Sequence, residues 1–227
     1  MVSRISIIIP AYNEEKSIGL VLKALPQRII HEIIVVDNNS TDDTARVALE
    51  HGARVVKEPR QGYGSACLRG IKELDAPDIV VFLDGDFSDF PEEIVSLIAP
   101  IEKNDEDFVL GSRMILPQSQ LALLPQARYG NRLAVFLIKL FFRHKFTDLG
   151  PFRAIRYSSL MSLGMQDRDF GWTVEMQIKA VRNGLRIREV PVNYRKRVGS
   201  SKITGTVSGT FRAGTKIIYT IFKYLLP

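Results

Sequence analysis

The chain has 227 residues, of which 45% are apolar and 25% charged, so we expect a globular protein with a sizeable core rather than a disordered chain. Its single cysteine, Cys67, excludes an intrachain disulfide and is typical of a reducing compartment. Residues 1–111 contain 11 Lys and Arg against 20 Asp and Glu, whereas residues 112–227 contain 20 against 5. This asymmetry indicates that the second half contacts anions, such as phosphates, nucleic acid or an acidic membrane.

Neither a secretion signal nor a transmembrane segment is predicted. The first residues lack a basic region that leads into a long apolar stretch. The longest apolar stretches, 133–142 and 217–226, contain lysine and are too short to span a bilayer. We therefore expect a cytoplasmic protein.

The first half alternates buried apolar stretches with helical segments. Strands are predicted at 5–9, 32–36, 53–57, 78–83 and 107–111. Helices are predicted at 13–25 and 42–51, and two more begin near Gly64 and Pro91. This alternation predicts a parallel sheet built from right-handed βαβ units.

The second half is less regular. We predict helices at 128–142 and 172–183, and a final amphipathic helix from 206. Two short strands are predicted near 186–195. The remaining segments are a loop at 113–127, a connection at 147–155 and a mobile basic loop at 196–205. No linker is evident, so residues 1–227 are interpreted as one domain with a nucleotide half, 1–111, and an acceptor half, 112–227.

Two carboxylates follow the most apolar predicted strand. Residues 80–83 lead directly into Asp84-Gly85-Asp86. Ligands of open α/β sheets bind at the carboxyl ends of the strands, and two acids there repel one another unless a cation lies between them. Mg2+ binds through one or two carboxylates plus phosphate oxygens. The alternative is a simple Asp-Gly turn in which Asp86 caps the next segment.

Other nucleotide-binding patterns are excluded. The turn after the first strand is Pro10-Ala11-Tyr12-Asn13-Glu14, which is not glycine-rich, and no phosphate loop ending in Gly-Lys-Ser/Thr is present. The candidates left for nucleotide binding are acidic and small-residue turns that follow successive predicted strands. Such turns suit ribose hydroxyls, base N–H groups and a metal ion.

The ordered motifs of the chain resemble those of family 2 inverting glycosyltransferases of the GT-A fold, especially the dolichyl- and polyprenyl-phosphate sugar synthases. The motifs are residues 8–15 (IIPAYNEE), 34–42 (IVVDNNSTD), 83–86 (LDGD), 111–113 (GSR), 150–154 (GPFRA) and 198–202 (VGSSK). The resemblance implies one α/β domain with a mostly parallel central sheet flanked by helices. It also implies metal-dependent transfer of a hexose from a nucleoside-diphosphate sugar to a polyprenyl phosphate.

The resemblance further implies roles for individual residues. Donor-nucleotide residues would be Pro10, Ala11, Tyr12, Glu14, Asp37, Asn39, Gly64, Asp84 and Gly85. Mg2+ or Mn2+ would be held mainly by Asp86, with Asp84 and Ser88. Related enzymes often have glutamine two residues after the second Asp, where this chain has Ser88 followed by Asp89.

The acceptor determines which other groups are needed. A phosphate acceptor is already ionised and requires cations, for which the candidates are Arg113, Arg128, Arg132, Arg197 and Lys202. A hydroxyl acceptor, on a glycan, glycolipid or small metabolite, requires a base, and Glu175 or Asp148 would serve. Without such an acceptor, Glu175 is interpreted as a structural residue that favours the helix dipole or holds a neighbouring arginine. The predicted catalytic residues are therefore Asp86, Arg113 and Glu175.

The final helix has an apolar side and a basic side. This pattern suits peripheral contact with the cytoplasmic face of an anionic membrane, and equally an ordinary helix packed on the domain.

A basic nucleic-acid-binding protein is the competing class of function. No recognition helix, zinc spacing or aromatic RNA-binding motif supports it, so no nucleic-acid partner is predicted.

Overall fold

Both halves of the chain contribute strands to one seven-stranded sheet. The structure is a computed structural model that describes residues 3–199 and 207–225. The strands are β1 (Ile5–Ala11), β2 (Glu32–Asp37), β3 (Arg54–Lys57), β4 (Ile79–Phe82), β5 (Phe108–Ser112), β6 (Arg153–Arg156) and β7 (Ile187–Pro191). Their order is β3-β2-β1-β4-β6-β5-β7. Because only β6 runs antiparallel to its neighbours, the predicted mostly parallel sheet is confirmed.

Helices cover both faces of the sheet. They are α1 (Ile18–Ala24), α2 (Thr44–Glu50), α3 (Tyr63–Lys72), α4 (Ile94–Glu102), α5 (Pro117–Ala122), α6 (Pro125–Phe142), α7 (Tyr157–Leu163), α8 (Trp172–Arg182) and α9 (Val207–Lys223). One apolar cluster packs β1 and β4 against α1 and α4, and the other packs the opposite face against α3, α6, α8 and α9. Burial on both faces accounts for the nearly continuous apolar sequences of the central strands.

The helix predicted from Asn13 begins later, at Ile18. Asn13 has a left-handed φ of 54°, which no helical residue adopts. Its N–H donates to Ser40 Oγ at 3.0 Å, and the N–H of Glu14 donates to Thr44 Oγ1 at 2.7 Å. The turn after β1 is thus fixed by the turn after β2, and both lie at one edge of the sheet.

The loop predicted at 113–127 is wrong, since this segment contains α5 and the start of α6. Pro117 and Pro125 each stand in the first turn of a helix, where the missing N–H has no intrahelical acceptor in any case. The connection predicted at 147–155 ends in strand β6. Helix α7 follows this strand, and it was not predicted.

Only one of the two strands predicted near 186–195 forms. It is β7, and beyond it Tyr194 makes a single bridge to Asp89. Lys202 and most of the predicted basic loop lie outside the described residues. In the described part of the chain, no helix has the length and hydropathy needed to cross a bilayer.

Candidate active site

A cavity of about 320 Å³ opens at the carboxyl ends of β1 and β4. The residues predicted from sequence that line it are Pro10, Ala11, Tyr12, Glu14, Asp84, Gly85, Asp86 and Arg197. Its other lining residues, which were not among the predicted site residues, are Asn38, Gln61, Gly62, Tyr63, Asp169, Phe170 and Arg212. The cavity therefore has one wall from the acidic half and one from the basic half.

Asp84 and Asp86 form the acidic floor of the cavity. Asp86 Oδ1 accepts hydrogen bonds from the N–H and the hydroxyl of Ser88, at 2.9 and 2.5 Å. Asp84 Oδ1 is enclosed and has no hydrogen-bond partner among the described residues. Burial, and then the charge of Asp86, raise the pKa of Asp84 to about 7, although Arg113 and Arg197 act in the opposite direction. Asp84 therefore needs additional positive charge nearby to be fully ionised.

This pair fits a hard divalent cation. An enclosed carboxylate oxygen without a donor is a suitable ligand, and Mg2+ takes its remaining ligands from phosphates and water. Within residues 3–199 and 207–225, no three His, Cys, Asp or Glu side chains are grouped to hold a metal ion by themselves. A bound ion would thus depend on phosphate oxygens as well as on Asp84 and Asp86.

Ser88 and Asp89 do not line the cavity. Ser88 is buried and directs its hydroxyl to Asp86, so it orients that carboxylate. Asp89 is also buried, and neither of its carboxyl oxygens has a hydrogen-bond partner in the described part of the structure. Burial and the nearby charge of Asp84 raise the pKa of Asp89 well above its usual value. Ser88 is therefore better interpreted as a support for Asp86 than as a metal ligand.

Arg197 closes the cavity from the acceptor half. Its Nη1 lies 3.3 Å from Asp86 Oδ2, and its Nη2 bonds to Glu14 Oε1. The guanidinium thus lies between two acids from different strand ends. This position agrees with a role in binding phosphates.

Arg113 does not reach the cavity, contrary to its predicted role as an acceptor clamp. Its Nε and Nη2 donate to the two oxygens of Asp148 at 2.8 and 2.9 Å, and its guanidinium lies 5.0 Å from the centre of the Tyr194 ring. Asp148 is buried in the same pair, which also leaves it unsuited to be a base. Arg128 and Arg132, on α6, do not line the cavity either.

Glu175 is a structural carboxylate. It is fully buried near the start of α8 and accepts hydrogen bonds from the N–H groups of Gln166 and Asp167 and from the Tyr224 hydroxyl. Lys179 Nζ lies 2.8 Å from its Oε1. The predicted role of Glu175 as a base is not supported, because these contacts occupy it away from the cavity. It instead fixes the segment that brings Asp169 to the cavity wall.

Three predicted donor residues, Asp37, Asn39 and Gly64, do not line the cavity. Asp37 is buried, and its Oδ1 accepts the N–H of Ser40 at 3.0 Å. Asn39 is exposed, whereas Asn38 lines the cavity and accepts the N–H of Gly62 at 2.8 Å. At Gly64 an added Cβ would lie only 2.1 Å from the carbonyl oxygen of Asp167. Asp37 and Gly64 shape the wall without lining it, whereas Asn39 is on the surface.

Comparison with known proteins identifies the family. Residues 6–164 match the model of glycosyl transferase family 2. The chain belongs to that family. This family 2 glycosyltransferase is 38% identical to an uncharacterized glycosyltransferase of Mycobacterium tuberculosis, over 92% of this chain and 94% of the relative. It is 31% identical to a dolichyl-phosphate hexose transferase of Haloferax volcanii, over 90% of this chain and 89% of the relative.

Solved structures confirm the fold of this family 2 glycosyltransferase. Glucosyl-3-phosphoglycerate synthase of Mycobacterium tuberculosis, solved in complex with Mn2+, UDP and glucosyl-3-phosphoglycerate, superposes with a TM-score of 0.81 at 24% identity. The match covers 97% of this chain and 79% of the synthase. The family and the GT-A fold predicted from the ordered motifs are therefore both confirmed.

Proposed function

We propose that this glycosyltransferase moves a hexose from a nucleoside-diphosphate sugar to a polyprenyl phosphate, peripherally at the cytoplasmic face of a membrane. The observation that carries the proposal is the composition of the cavity. Acids from the nucleotide half, Asp84 and Asp86, face arginines from the acceptor half, Arg197 and Arg212. Such a cavity suits a diphosphate that leaves and a phosphate that attacks.

The acidic wall is assigned to the donor. Tyr12 and Asn38 line the cavity and would contact the nucleoside, and Asp84 with Asp86 would hold Mg2+ or Mn2+ against the diphosphate. When bound, that ion would neutralise the charge that develops on the departing diphosphate. The solved synthase with UDP and Mn2+ supports a uridine donor for this chain, although it shares only 24% identity.

The basic wall is assigned to the acceptor. One phosphate oxygen of the acceptor would attack the anomeric carbon opposite the diphosphate and form the new C–O bond. The C–O bond to the diphosphate breaks, the diphosphate keeps the electron pair, and the configuration at that carbon inverts. A phosphate monoester is ionised near neutrality, so Arg197 and Arg212 need only attract and orient it.

Named relatives support the lipid acceptor. The dolichyl-phosphate hexose transferase of Haloferax volcanii matches nearly the whole chain at 31% identity. The engagement of Asp148 with Arg113, and of Glu175 with Lys179 and Tyr224, also removes the two bases that a hydroxyl acceptor was predicted to use. A phosphate acceptor needs neither.

A hydroxyl acceptor is the second candidate, and Asp169 is the observation that favours it. This carboxylate lines the cavity, where a base would have to lie. The synthase with the similar fold was solved with a small phosphorylated metabolite, glucosyl-3-phosphoglycerate. In this case Asp169 would take the proton of the attacking hydroxyl.

Matched acceptors separate the two candidates. The purified protein would be incubated with Mn2+ and labelled UDP-glucose, UDP-N-acetylglucosamine or GDP-mannose. The acceptor would be a short polyprenyl phosphate, the corresponding polyprenol or 3-phosphoglycerate. We expect labelled lipid only with polyprenyl phosphate as the acceptor, and we expect the Asp169→Asn variant to keep this activity. Transfer to polyprenol or 3-phosphoglycerate that Asp169→Asn abolishes would establish the second candidate. No transfer to any acceptor would refute both.

A further inference from the structure

Large apolar side chains are exposed along one face of α6. Tyr129, Leu133, Phe136 and Leu140 are spaced by three or four residues and are between 48 and 69% exposed. The opposite face of the same helix is buried in the core. Three or four residues make one helical turn, so the four side chains form a continuous stripe.

The stripe continues onto α9. The rings of Phe141 and Phe222 lie 5.5 Å apart and join the two helices, and Tyr219, one turn before Phe222, is 59% exposed. Apolar patches of this extent are uncommon on soluble proteins and mark interaction sites. We call Tyr129, Leu133, Phe136, Leu140, Tyr219 and Phe222 the apolar face.

The surroundings of the apolar face are basic. The sequence contains no Asp or Glu between Asp107 and Asp148, and none after Glu189. The cations on or next to the two helices are Arg128, Arg132, Lys139, Arg143, Arg212, Lys216 and Lys223. Lys216 Nζ lies 2.8 Å from Asp167 Oδ2, but the two helices themselves carry cations and no acids. Apolar and aromatic side chains flanked mainly by cations are complementary to an anionic lipid surface, where each cation near the surface adds attraction.

The apolar residues of α9 extend to the mouth of the cavity. Phe211 is 75% exposed, and the next residue, Arg212, lines the cavity. A lipid that carries a phosphate could thus place the phosphate at Arg212 while its chain stays among the apolar side chains. This arrangement favours a bilayer over a soluble protein as the partner.

We propose that the apolar face docks this enzyme onto an anionic lipid bilayer. The proposal names the surface through which a lipid acceptor would reach the cavity, and so deepens the proposed function. It rests on the proposed function for the identity of the acceptor. In the docked state Leu133 and Phe136 enter the interfacial region, and the flanking arginines contact lipid phosphates. The docking itself needs neither donor nor acceptor.

Vesicle sedimentation tests the docking. The full chain would be mixed with vesicles of phosphatidylcholine, with or without phosphatidylglycerol, at low and high salt. We expect sedimentation with the anionic vesicles that weakens with salt. The Leu133→Ser/Phe136→Ser double variant should partition onto the vesicles at least about tenfold more weakly, because two large apolar side chains are no longer transferred from water into the bilayer. Leu49→Ser/Met161→Ser, which changes residues of similar exposure on α2 and α7, should sediment like the wild type.

Binding of UDP with Mn2+ would be measured on every variant, so that loss of the fold is distinguished from loss of docking. Wild-type protein that stays in the supernatant with anionic vesicles would overturn the proposal. So would a double variant that sediments like the wild type, or a wild-type dimer that the double variant converts to a monomer, which would assign the face to a second copy. None of these outcomes changes the result expected with the short polyprenyl phosphate, so the proposed transfer reaction is tested separately from the docking.

Discussion

At the scale of single residues, most buried charge is compensated by a defined partner, and Asp84 and Asp89 are exceptions among the described residues. Asp148 is paired with Arg113, and Glu175 with Lys179. Glu189 accepts the N–H groups of Thr147 and Asp148. Asp84, in contrast, keeps one enclosed oxygen without a donor among the described residues. An acidic side chain that lacks a compensating donor at a place where a ligand would bind indicates a functional role rather than a stabilising one.

The Arg113–Asp148 pair is predicted to be structural. Asp148→Asn would leave the buried guanidinium of Arg113 without a counter-charge, so the free energy of unfolding should fall by about 3–5 kcal/mol. Urea unfolding followed by circular dichroism measures this loss. Asp43→Asn removes one of the two carboxylate partners of Arg46, both of them exposed, and should leave the unfolding midpoint nearly unchanged. Equal effects of the two substitutions would contradict the structural role of Asp148.

The same pair predicts a pH dependence. Burial by itself would raise the pKa of Asp148, but the charge and hydrogen bonds of Arg113 lower it below its usual value. Because the folded-state pKa is depressed, the stabilisation is complete above the unfolded value of about 4 and is lost as pH falls through the folded value. The difference in unfolding midpoint between wild type and Asp148→Asn should therefore narrow at acidic pH. A difference that stays constant from neutral to acidic pH would contradict this cause.

Sequence motifs identified the residues that directly follow the central strands. Glu14, Asp84 and Asp86 could be found because the end of a parallel strand sets where the next side chains lie. Asp169 and Arg212 could not, since their positions depend on tertiary contacts. Asp169 is placed by the bonds of Glu175 to the preceding backbone, and Arg212 by the packing of α9. No local pattern encodes either arrangement.

At the scale of elements, the start of α3 is packed directly on the segment that carries Asp169. Ser65 N–H donates to the carbonyl oxygen of Arg168 at 2.9 Å. An added Cβ at Gly62 would lie 2.2 Å from that oxygen. Glycine here permits a close approach between the two walls of the cavity. The sequence predicted a helix that begins near Gly64 but not which segment its first turn would meet.

Gly64→Ala tests this approach. The new Cβ would lie 2.1 Å from the carbonyl oxygen of Asp167, so the backbone must move, and we expect a loss of about 1–3 kcal/mol in stability together with weaker binding of UDP. Thermal unfolding and calorimetric titration measure the two effects. Gly130→Ala is the control, because its Cβ would meet nothing within 4 Å on α6, and it should be neutral or stabilising by up to about 1 kcal/mol. If Gly64→Ala behaves like this control, the contact is not restrictive.

At the scale of the whole molecule, the charge asymmetry of the sequence has a structural counterpart. The acidic half supplies Asp84 and Asp86, the basic half supplies Arg197 and Arg212, and the shared sheet brings the two sets to one cavity. The α/β class could be predicted because β1 to β5 alternate regularly with helices. The insertion of antiparallel β6 between β4 and β5 could not, since strand order depends on long-range pairing.

The most direct test of the central claim is calorimetric titration of UDP into wild type and Asp86→Asn, with and without Mn2+. The account predicts that the wild type binds UDP more tightly with Mn2+ and that Asp86→Asn weakens this Mn2+-dependent binding at least tenfold, or about 1.4 kcal/mol. Asp43→Asn should bind like the wild type. If Asp86→Asn keeps wild-type affinity for UDP in the presence of Mn2+, the acid pair does not hold the donor diphosphate and the account is contradicted.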